Sequence, residues 1–293
     1  MKRSTIDLAL KLTAKTLYAK SPGREDVILK LTDPHEVEVL RRLHDNETTK
    51  QTRIIQLLDV VDGRLMVLPL RTPLSHFLEL DASDDDAGML AVQFLEGVAY
   101  LQSLSVAHLD LKPDNIVVQW DPESKKVDLA IIDFNISVFA ETEPTISRSS
   151  GTPGWCAPEV SAGKPYDPLL ADRWSCGRVL TFFMEHMKPG KLRDKMHSLS
   201  QQMMDPDPSL RPPVPDLPNW YPQEMGGMPY PSIKTIASGH GDAPRPRDWV
   251  SRSSRTLKGS GMELKRKLDG DAKEKEEVKR RCTGVQPGSR LVS

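Results

Sequence analysis

Four polar residues in the middle of the sequence could do chemistry together. Asp110, Lys112 and Asn115 belong to the segment HLDLKPDN, residues 108–115, and Asp133 follows in IIDF. A carboxylate can accept the proton of a hydroxyl group, a lysine can neutralise a phosphoryl group, and Asp and Asn oxygens are ligands for Mg²⁺. Phosphoryl transfer from a nucleotide needs all of these groups in one site. The four residues therefore predict a phosphoryl-transfer site.

The segments on either side must position these residues. The apolar residues of MLAVQFLEGVAYLQSL recur every three or four positions, which predicts a helix that leads directly into HLDLKPDN. IVVQW and KVDLAIIDF predict a pair of strands joined by the turn DPESK, and ADRWSCGRVLTFFMEHM predicts a largely buried helix. Taken alone, Asp and Asn in such a loop often only form turns with their own backbone.

Strand and helix signals also precede the central segment. VILKL has strand character around Lys30, and a helix start follows in DPHEVEVLRRLHD, where Asp33 is the N-cap and Glu36 the capping-box residue. The segments IIQLLDVV and RLMVLPL flank Asp62 and Gly63, a dipeptide that favours the tight turn of a β-hairpin. This region therefore predicts antiparallel strands with one helix.

The composition indicates a soluble globular protein. The 293 residues are 38% hydrophobic and 28% charged, with a net charge of −1. The start lacks the apolar run of a secretory signal, and no stretch approaches the ~18 apolar residues that span a bilayer. Three cysteines are too few and too far apart for a disulfide framework. We expect a cytoplasmic and/or nuclear protein with no membrane partner.

The central motifs closely resemble those of the protein kinases. HLDLKPDN is similar to the catalytic loop H-R-D-x-K-x-x-N, and IIDF to the strand that ends in D-F-G. Residues 151–159, GTPGWCAPE, resemble the segment that ends in A-P-E and receives the substrate, and 172–177, DRWSCG, the start of the buried supporting helix. Arg211 resembles the arginine that pairs with the glutamate of A-P-E, here Glu159. Five motifs in the family's order outweigh the turn-forming explanation.

The resemblance implies roles for the polar residues, with ATP and Mg²⁺ as cofactors. Asp110 would position the acceptor hydroxyl, and Lys112 would stabilise the charge that develops on the phosphoryl group. Asn115 and Asp133 would hold Mg²⁺, and Lys30 would orient the phosphates.

Further contacts are implied around this set. Glu36 would pair with Lys30, with Glu38 as second choice, although Glu36 could instead close the capping box. Thr152 would bond both Asp110 and Lys112, which is typical of the serine/threonine type of protein kinase. The resemblance also implies structural roles for His108, Phe134, Glu159, Asp172 and Arg211.

The implied fold is α+β and bilobal. A small antiparallel β lobe with one helix would cover residues 1–68, and a mainly α-helical large lobe residues 69–215. ATP would bind in the cleft between the lobes, with the backbone of Leu68 and Leu70 facing adenine. From 216 to 293 the chain is rich in Pro, Gly, Ser and charged residues, which predicts disorder.

The small lobe departs from the family pattern. No glycine loop is visible, and if Leu17 takes the valine position of the pattern, Leu10, Leu12 and Lys15 occupy the three glycine slots. Ile28 replaces the small alanine above adenine. Both changes predict weak nucleotide binding, because side chains would stand where the backbone should approach phosphate.

The large lobe departs at two positions. Leu109 replaces the arginine of H-R-D, so no cation would receive a phosphate on the following segment. Asn135 replaces the glycine of D-F-G, and asparagine tolerates the left-handed backbone region that a glycine would adopt.

Three functions follow from these residues. The leading one is a protein serine/threonine kinase, and its alternative is a pseudokinase that acts as a binding or scaffold module. A small-molecule kinase of the aminoglycoside or choline type shares the catalytic loop but lacks the segment GTPGWCAPE. The protein substrate itself is not predicted.

Two basic clusters occur near the end of the sequence. KRK at 265–267 and KRR at 279–281 are spaced like a two-part nuclear import signal, so residues 265–281 could bind a nuclear import receptor. The acidic residues between the clusters argue against nucleic-acid binding.

Overall fold

Strands and helices alternate along the first part of the chain. The computed structural model describes residues 7–13, 15–20, 26–45, 52–80, 82–83, 85–121, 123–124 and 126–215, all within one unit of the chain. Its strands are β1 (Asp7–Lys11), β2 (Thr16–Lys20), β3 (Val27–Leu31), β4 (Asp59–Val61), β5 (Leu65–Pro69), β6 (Thr72–Pro73), β7 (Val106–Ala107), β8 (Ile116–Asp121), β9 (Lys126–Ile131) and β10 (Val138–Phe139). Its helices are α1 (Pro34–Asp45), α2 (Leu74–Leu80), α3 (Asp86–Ser103), α4 (Pro158–Ser161), α5 (Pro168–Glu185) and α6 (Lys191–Met203).

The first lobe contains an antiparallel sheet in the order β1-β2-β3-β5-β4. Asp62 and Gly63 connect β4 to β5 with positive φ angles of 50° and 69°, the backbone of a tight hairpin turn. The predicted hairpin is therefore confirmed. Its first strand is shorter than IIQLLDVV, because β4 covers only Asp59–Val61.

Helix α1 begins where its capping signal predicts. The side-chain Oδ1 of Asp33 accepts the backbone N–H of His35 at 3.0 Å, which satisfies one of the unpaired donors of the first turn. Leu40 and Leu43 of α1 are buried in one hydrophobic core with Met66 of β5. This packing holds α1 against the sheet.

The second lobe is mainly helical. Helix α3 contacts β9 and α5, and α5 contacts α6. β8 pairs with β9 as predicted, and with the short strand β6 it forms a three-stranded sheet. The α+β class is confirmed. Ala87 and Gly88 are buried in the first turn of α3, which begins at Asp86.

A buried arginine ties the lobes together. The N–H of Ile55 donates to the carbonyl of Ile131 at 3.0 Å, and the N–H of Ile131 donates to the carbonyl of Arg53 at 2.8 Å. The Nε of Arg53 lies 2.8 Å from Oε2 of Glu96 in α3, and Arg53 also pairs with Asp128 of β9. The connection between α1 and β4 is thus fixed to the second lobe.

The boundary between residues 68 and 69 stays a prediction. The sheet of the first lobe ends with Pro69, and Thr72 begins the next strand in the second lobe. The tail at 216–293 lies outside the described residues. None of the described helices has the length and apolar character needed to cross a bilayer.

Candidate active site

Lys30 of β3 lies between two carboxylates from distant parts of the chain. Its Nζ is 2.7 Å from Oε1 of Glu36 in α1 and 2.5 Å from Oδ1 of Asp133, which follows β9. The Glu36 side chain is only 1% exposed, so the charge of Lys30 compensates for its loss of water. The predicted Lys30–Glu36 ion pair is confirmed, whereas Glu38 is exposed.

Glu36 holds three segments together. Its Oε2 accepts a hydrogen bond from the Thr32 hydroxyl, and its Oε1 also accepts the backbone N–H of Phe134 at 3.1 Å. Both oxygens are therefore engaged, and the side chain does not close the alternative capping box with Asp33. Glu36 instead fixes the segment that carries Asp133 relative to β3 and α1.

The catalytic-loop residues form a second cluster. Thr152 donates from Oγ1 to Oδ1 of Asp110 at 2.7 Å, and Lys112 donates from Nζ to Oδ2 of Asp110 at 2.8 Å. Lys112 also donates to Oγ1 of Thr152 at 2.6 Å. The contacts of Thr152 implied by the resemblance are present. They orient the Asp110 carboxylate toward the segment that contains Thr152.

Asn115 and Asp133 present oxygens suited to a hard cation. The Nδ2 of Asn115 donates to the carbonyl and to Oδ2 of Asp110, at 2.9 and 3.0 Å, which turns its Oδ1 the other way. The backbone carbonyl of Asn115 accepts the N–H of Ile132 at 3.0 Å, so Asp133 is adjacent. In the described part of the chain no group of three His, Cys, Asp or Glu could hold a metal. The pair fits Mg²⁺ whose other ligands are phosphate oxygens and water.

A buried carboxylate from α5 holds the backbone of the catalytic loop. Asp172 of α5 accepts the backbone N–H groups of His108 and Leu109 at 2.5 and 2.8 Å. Burial raises the pKa of Asp172 to about 7, and the two N–H donors oppose that rise. The predicted structural role of Asp172 agrees with these contacts.

His108 links the loop to the strand that precedes Asp133. Its Nε2 is 3.0 Å from the carbonyl of Ile132, and its Nδ1 accepts the N–H of Asp110 at 3.2 Å. Burial lowers the pKa of His108, and because Nδ1 accepts a hydrogen bond while Nε2 faces a carbonyl, the neutral ring carries its proton on Nε2. The ring lies 4.7 Å from that of Phe134. These two aromatic residues pack the two clusters against each other.

Glu159 and Arg211 form a structural pair. The guanidinium donates from both terminal nitrogens to the two carboxylate oxygens, at 2.6 and 2.9 Å. Arg211 also donates from Nε to the carbonyl of Asp205 at 2.9 Å. Arg211 is buried, and this bidentate arrangement closes the segment that begins at Thr152.

Comparison with known proteins identifies the family. The family model described as "Protein kinase domain" matches residues 10–223, which is more than half of the chain. The chain belongs to the protein kinase family. Sperm motility kinase 2A of Mus musculus is 27% identical over 252 residues, covering 78% of this chain and 47% of the relative.

Other kinases show the same partial coverage. Human calcium/calmodulin-dependent protein kinase type IV is 32% identical over 177 residues, covering 60% of this chain and 34% of the relative. CBL-interacting protein kinase 26 of Oryza sativa is 27% identical over 248 residues, covering 71% and 49%. The relatives are serine/threonine kinases. The chain spans about half or less of the length of these curated relatives.

The backbone groups that were predicted to face adenine, those of Leu68 and Leu70, are directed toward β3, and their contact with adenine stays a prediction. The N–H of Leu70 donates to the carbonyl of Asp26 at 3.3 Å, and Leu68 lies opposite Ile28 in the β3–β5 ladder. Successive residues of a strand direct their backbone groups to opposite sides, so Leu68 and Leu70 both face β3. The carbonyl of Pro69 is directed the other way.

The degenerate glycine slots of the kinase lie in its first hairpin. Leu10 is in β1, and Leu12 and Lys15 are in the connection to β2, where the N–H of Leu12 donates to the carbonyl of Thr16 at 2.9 Å. Ile28 is two residues from Lys30 in β3 and therefore shares its face. The assignment of these residues to the glycine slots stays a prediction.

The left-handed backbone near the kinase D-F-G position was assigned to the wrong residue. Asp133, not Asn135, has a positive φ, of 72°. Leu109 is left-handed as well, with a φ of 65°, and its buried side chain packs against Val138 and Ile146. The position that carries a phosphate-binding arginine in H-R-D kinases is therefore apolar here.

Contacts between α1 and the segment after Asp133 were not found from the sequence. His35 lies with Nε2 2.7 Å from the carbonyl of Ser137. Arg42 donates to Oε2 of Glu141 at 3.0 Å, and its guanidinium lies 4.2 Å from the ring centroid of Phe139. No spacing signal could reveal them, because the partners are about 100 residues apart. They hold residues 137–141 of the kinase against the helix that carries Glu36.

Proposed function

We propose that this protein is a serine/threonine kinase that transfers the γ-phosphoryl group of ATP, bound with Mg²⁺, to hydroxyl groups of proteins. The observation that carries the proposal is the double ion pair of Lys30 with Glu36 and Asp133, which are brought together from two lobes. Maintaining three buried or half-buried charges at this point is costly without a ligand to orient. Phosphate orientation explains the arrangement.

Each residue of the site then has a distinct task. Asp110 accepts a hydrogen bond from the acceptor hydroxyl and orients it, while Lys112 stabilises negative charge on the transferring group. Lys30 orients the phosphates, and Asn115 and Asp133 hold Mg²⁺ through their side-chain oxygens. The metal, when bound, neutralises charge on the phosphates. Glu36 and Thr152 position Lys30 and Asp110, respectively, for these tasks.

Pro69 offers a further backbone acceptor for adenine between Leu68 and Leu70. Its carbonyl points away from β3 and can accept a hydrogen bond from the adenine amine. Proline has no N–H to donate, but an accepting contact needs none.

A second candidate is a pseudokinase that serves as a scaffold. It is favoured by Leu12 and Lys15 in the glycine slots and by Ile28 on the cleft face of β3. If these side chains exclude the nucleotide, the polar clusters would only stabilise the fold.

The test compares three purified proteins: wild type, Asp133→Ala, and the control Asp194→Ala, which changes an exposed aspartate of α6. We expect transfer of labelled γ-phosphate to a generic basic protein by wild type and control, and none by Asp133→Ala. Background transfer by all three, together with a melting temperature that Mg-ATP does not change, would favour the scaffold instead.

Localisation remains a separate proposal. The basic clusters at 265–267 and 279–281 lie outside the described residues, and we propose that they direct nuclear import. Replacing both clusters by serine in a fluorescent fusion should move the protein out of the nucleus; unchanged distribution would refute the proposal.

A further inference from the structure

Arg178 of α5 lies against the segment that receives the substrate in protein kinases. Its Nε donates to the carbonyl of Gly154 at 3.3 Å. Its guanidinium carbon lies 5.7 Å from the ring centroid of Trp155, within the range of a cation–π contact. The arginine is therefore held at residues 154–155 by two independent contacts.

These residues are directly connected to the catalytic carboxylate. The N–H groups of Trp155 and Cys156 donate to the carbonyl of Thr152 at 3.0 and 3.2 Å. Thr152 in turn donates from its hydroxyl to Asp110 at 2.7 Å. Arg178 is thus fixed to the same short loop that orients Asp110.

Arg178 differs from four other arginines in its ion pairing. Among the described residues, Arg42, Arg53, Arg148 and Arg211 each pair with a carboxylate, whereas Arg178 pairs with none. Its neighbours Pro153 and Gly154 are exposed and uncharged. A guanidinium has five N–H donors, and the contact with Gly154 uses one of them.

We propose that Arg178 selects protein substrates that carry an acidic residue close to the acceptor hydroxyl. The planar donors of arginine suit a carboxylate or a phosphate group, and stacking on Trp155 orients them in advance. Two residues from Thr152 to Gly154 span at most ~7 Å, and an extended peptide advances ~3.3 Å per residue. That span corresponds to about two residues of peptide, and the hydrogen bonds from Thr152 through Asp110 to the acceptor hydroxyl add to it, so the acidic residue lies within a few residues of the acceptor. This inference rests on the proposed function.

The test begins with wild type and a set of peptides. Each peptide has one serine acceptor in an uncharged background, and aspartate or phosphoserine is placed singly at each of the four positions before and after it. We expect kcat/KM to rise about tenfold for an acidic residue at one or two positions, which is the gain typical of a charge-assisted hydrogen bond. The gain should appear in the KM for the peptide and not in the KM for ATP.

Variants then assign the preference to Arg178. Arg178→Gln should lower the preference for the acidic peptide to about that for the neutral one. Arg178→Glu should favour lysine at the same position. Arg193→Gln is the matched control, because Arg193 is also half-buried and donates from Nε to a carbonyl, that of Met184 at the carboxyl end of α5. The control should keep the acidic preference.

The outcomes separate this inference from the proposed function. Transfer by wild type without any acidic preference, or a preference that survives in Arg178→Glu, overturns the role of Arg178 and leaves the kinase assignment intact. Absence of transfer to every peptide overturns the kinase assignment. In that case the fluorescence anisotropy of the same peptides decides the matter: tighter binding of acidic peptides that is lost in Arg178→Gln supports the anion site, and equal binding refutes it.

Discussion

The catalytic segment between His108 and Asp172 differs sharply from the first hairpin of the small lobe. In the catalytic segment each polar side chain of the predicted site has partners that fix its orientation, such as Thr152 and Lys112 around Asp110. In the hairpin, Leu12 and Lys15 occupy positions where glycine normally lets the backbone reach a phosphate. The difference teaches that, within the protein kinase family, the polar residues of the catalytic loop can be present while the glycines of the first hairpin are absent.

The largest effect should come from removing the carboxylate of the catalytic segment. We expect Asp110→Asn to lower the rate of phosphate transfer ~10²–10⁴-fold, because asparagine cannot accept the hydroxyl proton. Initial rates at saturating Mg-ATP and protein substrate measure the effect. The shift of melting temperature caused by Mg-ATP should persist, since Asp110 does not hold the nucleotide. If Asp110→Asn retains most of its activity, the prediction that Asp110 takes part in phosphate transfer is wrong.

An intermediate effect should come from restoring glycine in the hairpin. The double variant Leu12→Gly and Lys15→Gly should bind Mg-ATP about tenfold more tightly, as expected for one or two new charge-assisted hydrogen bonds from backbone N–H groups. Isothermal titration measures the dissociation constant. Thr13→Gly, in the same connection but outside the slots, is the control. An unchanged or weaker affinity in the double variant would mean that this hairpin does not lie over the phosphates.

The smallest effect is a pH-dependent change in melting temperature caused by Asp172, which holds the catalytic loop. Its pKa is raised from 3.8 to about 7 in the folded protein, so this group stabilises the fold below about pH 4, and the stabilisation is lost as the pH rises through 7. Asparagine does not titrate. The difference in melting temperature between wild type and Asp172→Asn should therefore shrink by a few degrees from pH 5 to pH 8.

Asp207 provides the control for this pH dependence. It is exposed, and its hydrogen bond from the Ser209 side chain lowers its pKa, so it stays ionised over the same range. Asp207→Asn should show a constant difference between pH 5 and pH 8. A difference that widens for Asp172→Asn would contradict the direction of its pKa shift.

The central site could be predicted because its signals are local. Asp110, Lys112 and Asn115 lie within one loop, and the strand that ends in Asp133 follows directly, so the motif alone places them together. The α+β class followed from the family resemblance that these motifs carry. These predictions depend only on the spacing of residues that are close in the sequence, and this spacing can be read from the sequence alone.

Other features depend on register or on distant contacts. The side on which the backbone groups of Leu68 and Leu70 lie depends on register, because a shift of one residue reverses it. Arg53 and Arg178 could not be predicted, since Glu96, Asp128 and Gly154 become their neighbours only in the folded chain. The left-handed conformation expected at Asn135 occurs at Asp133 instead. The residue types alone do not distinguish these two positions.

The buried anchor of Arg53 has a mechanical consequence. Because residues 53–55 are fixed to α3 and β9 by ion pairs and backbone hydrogen bonds, a parting of the lobes that keeps these contacts rotates about that point. In a rotation, displacement grows with distance from the axis. The order of the sheet puts β1 and β2 at the edge farthest from β4, the strand that follows the anchor. The first hairpin therefore sweeps the widest arc as the lobes part, while Glu36, on the helix that leads into the anchor, travels a shorter path.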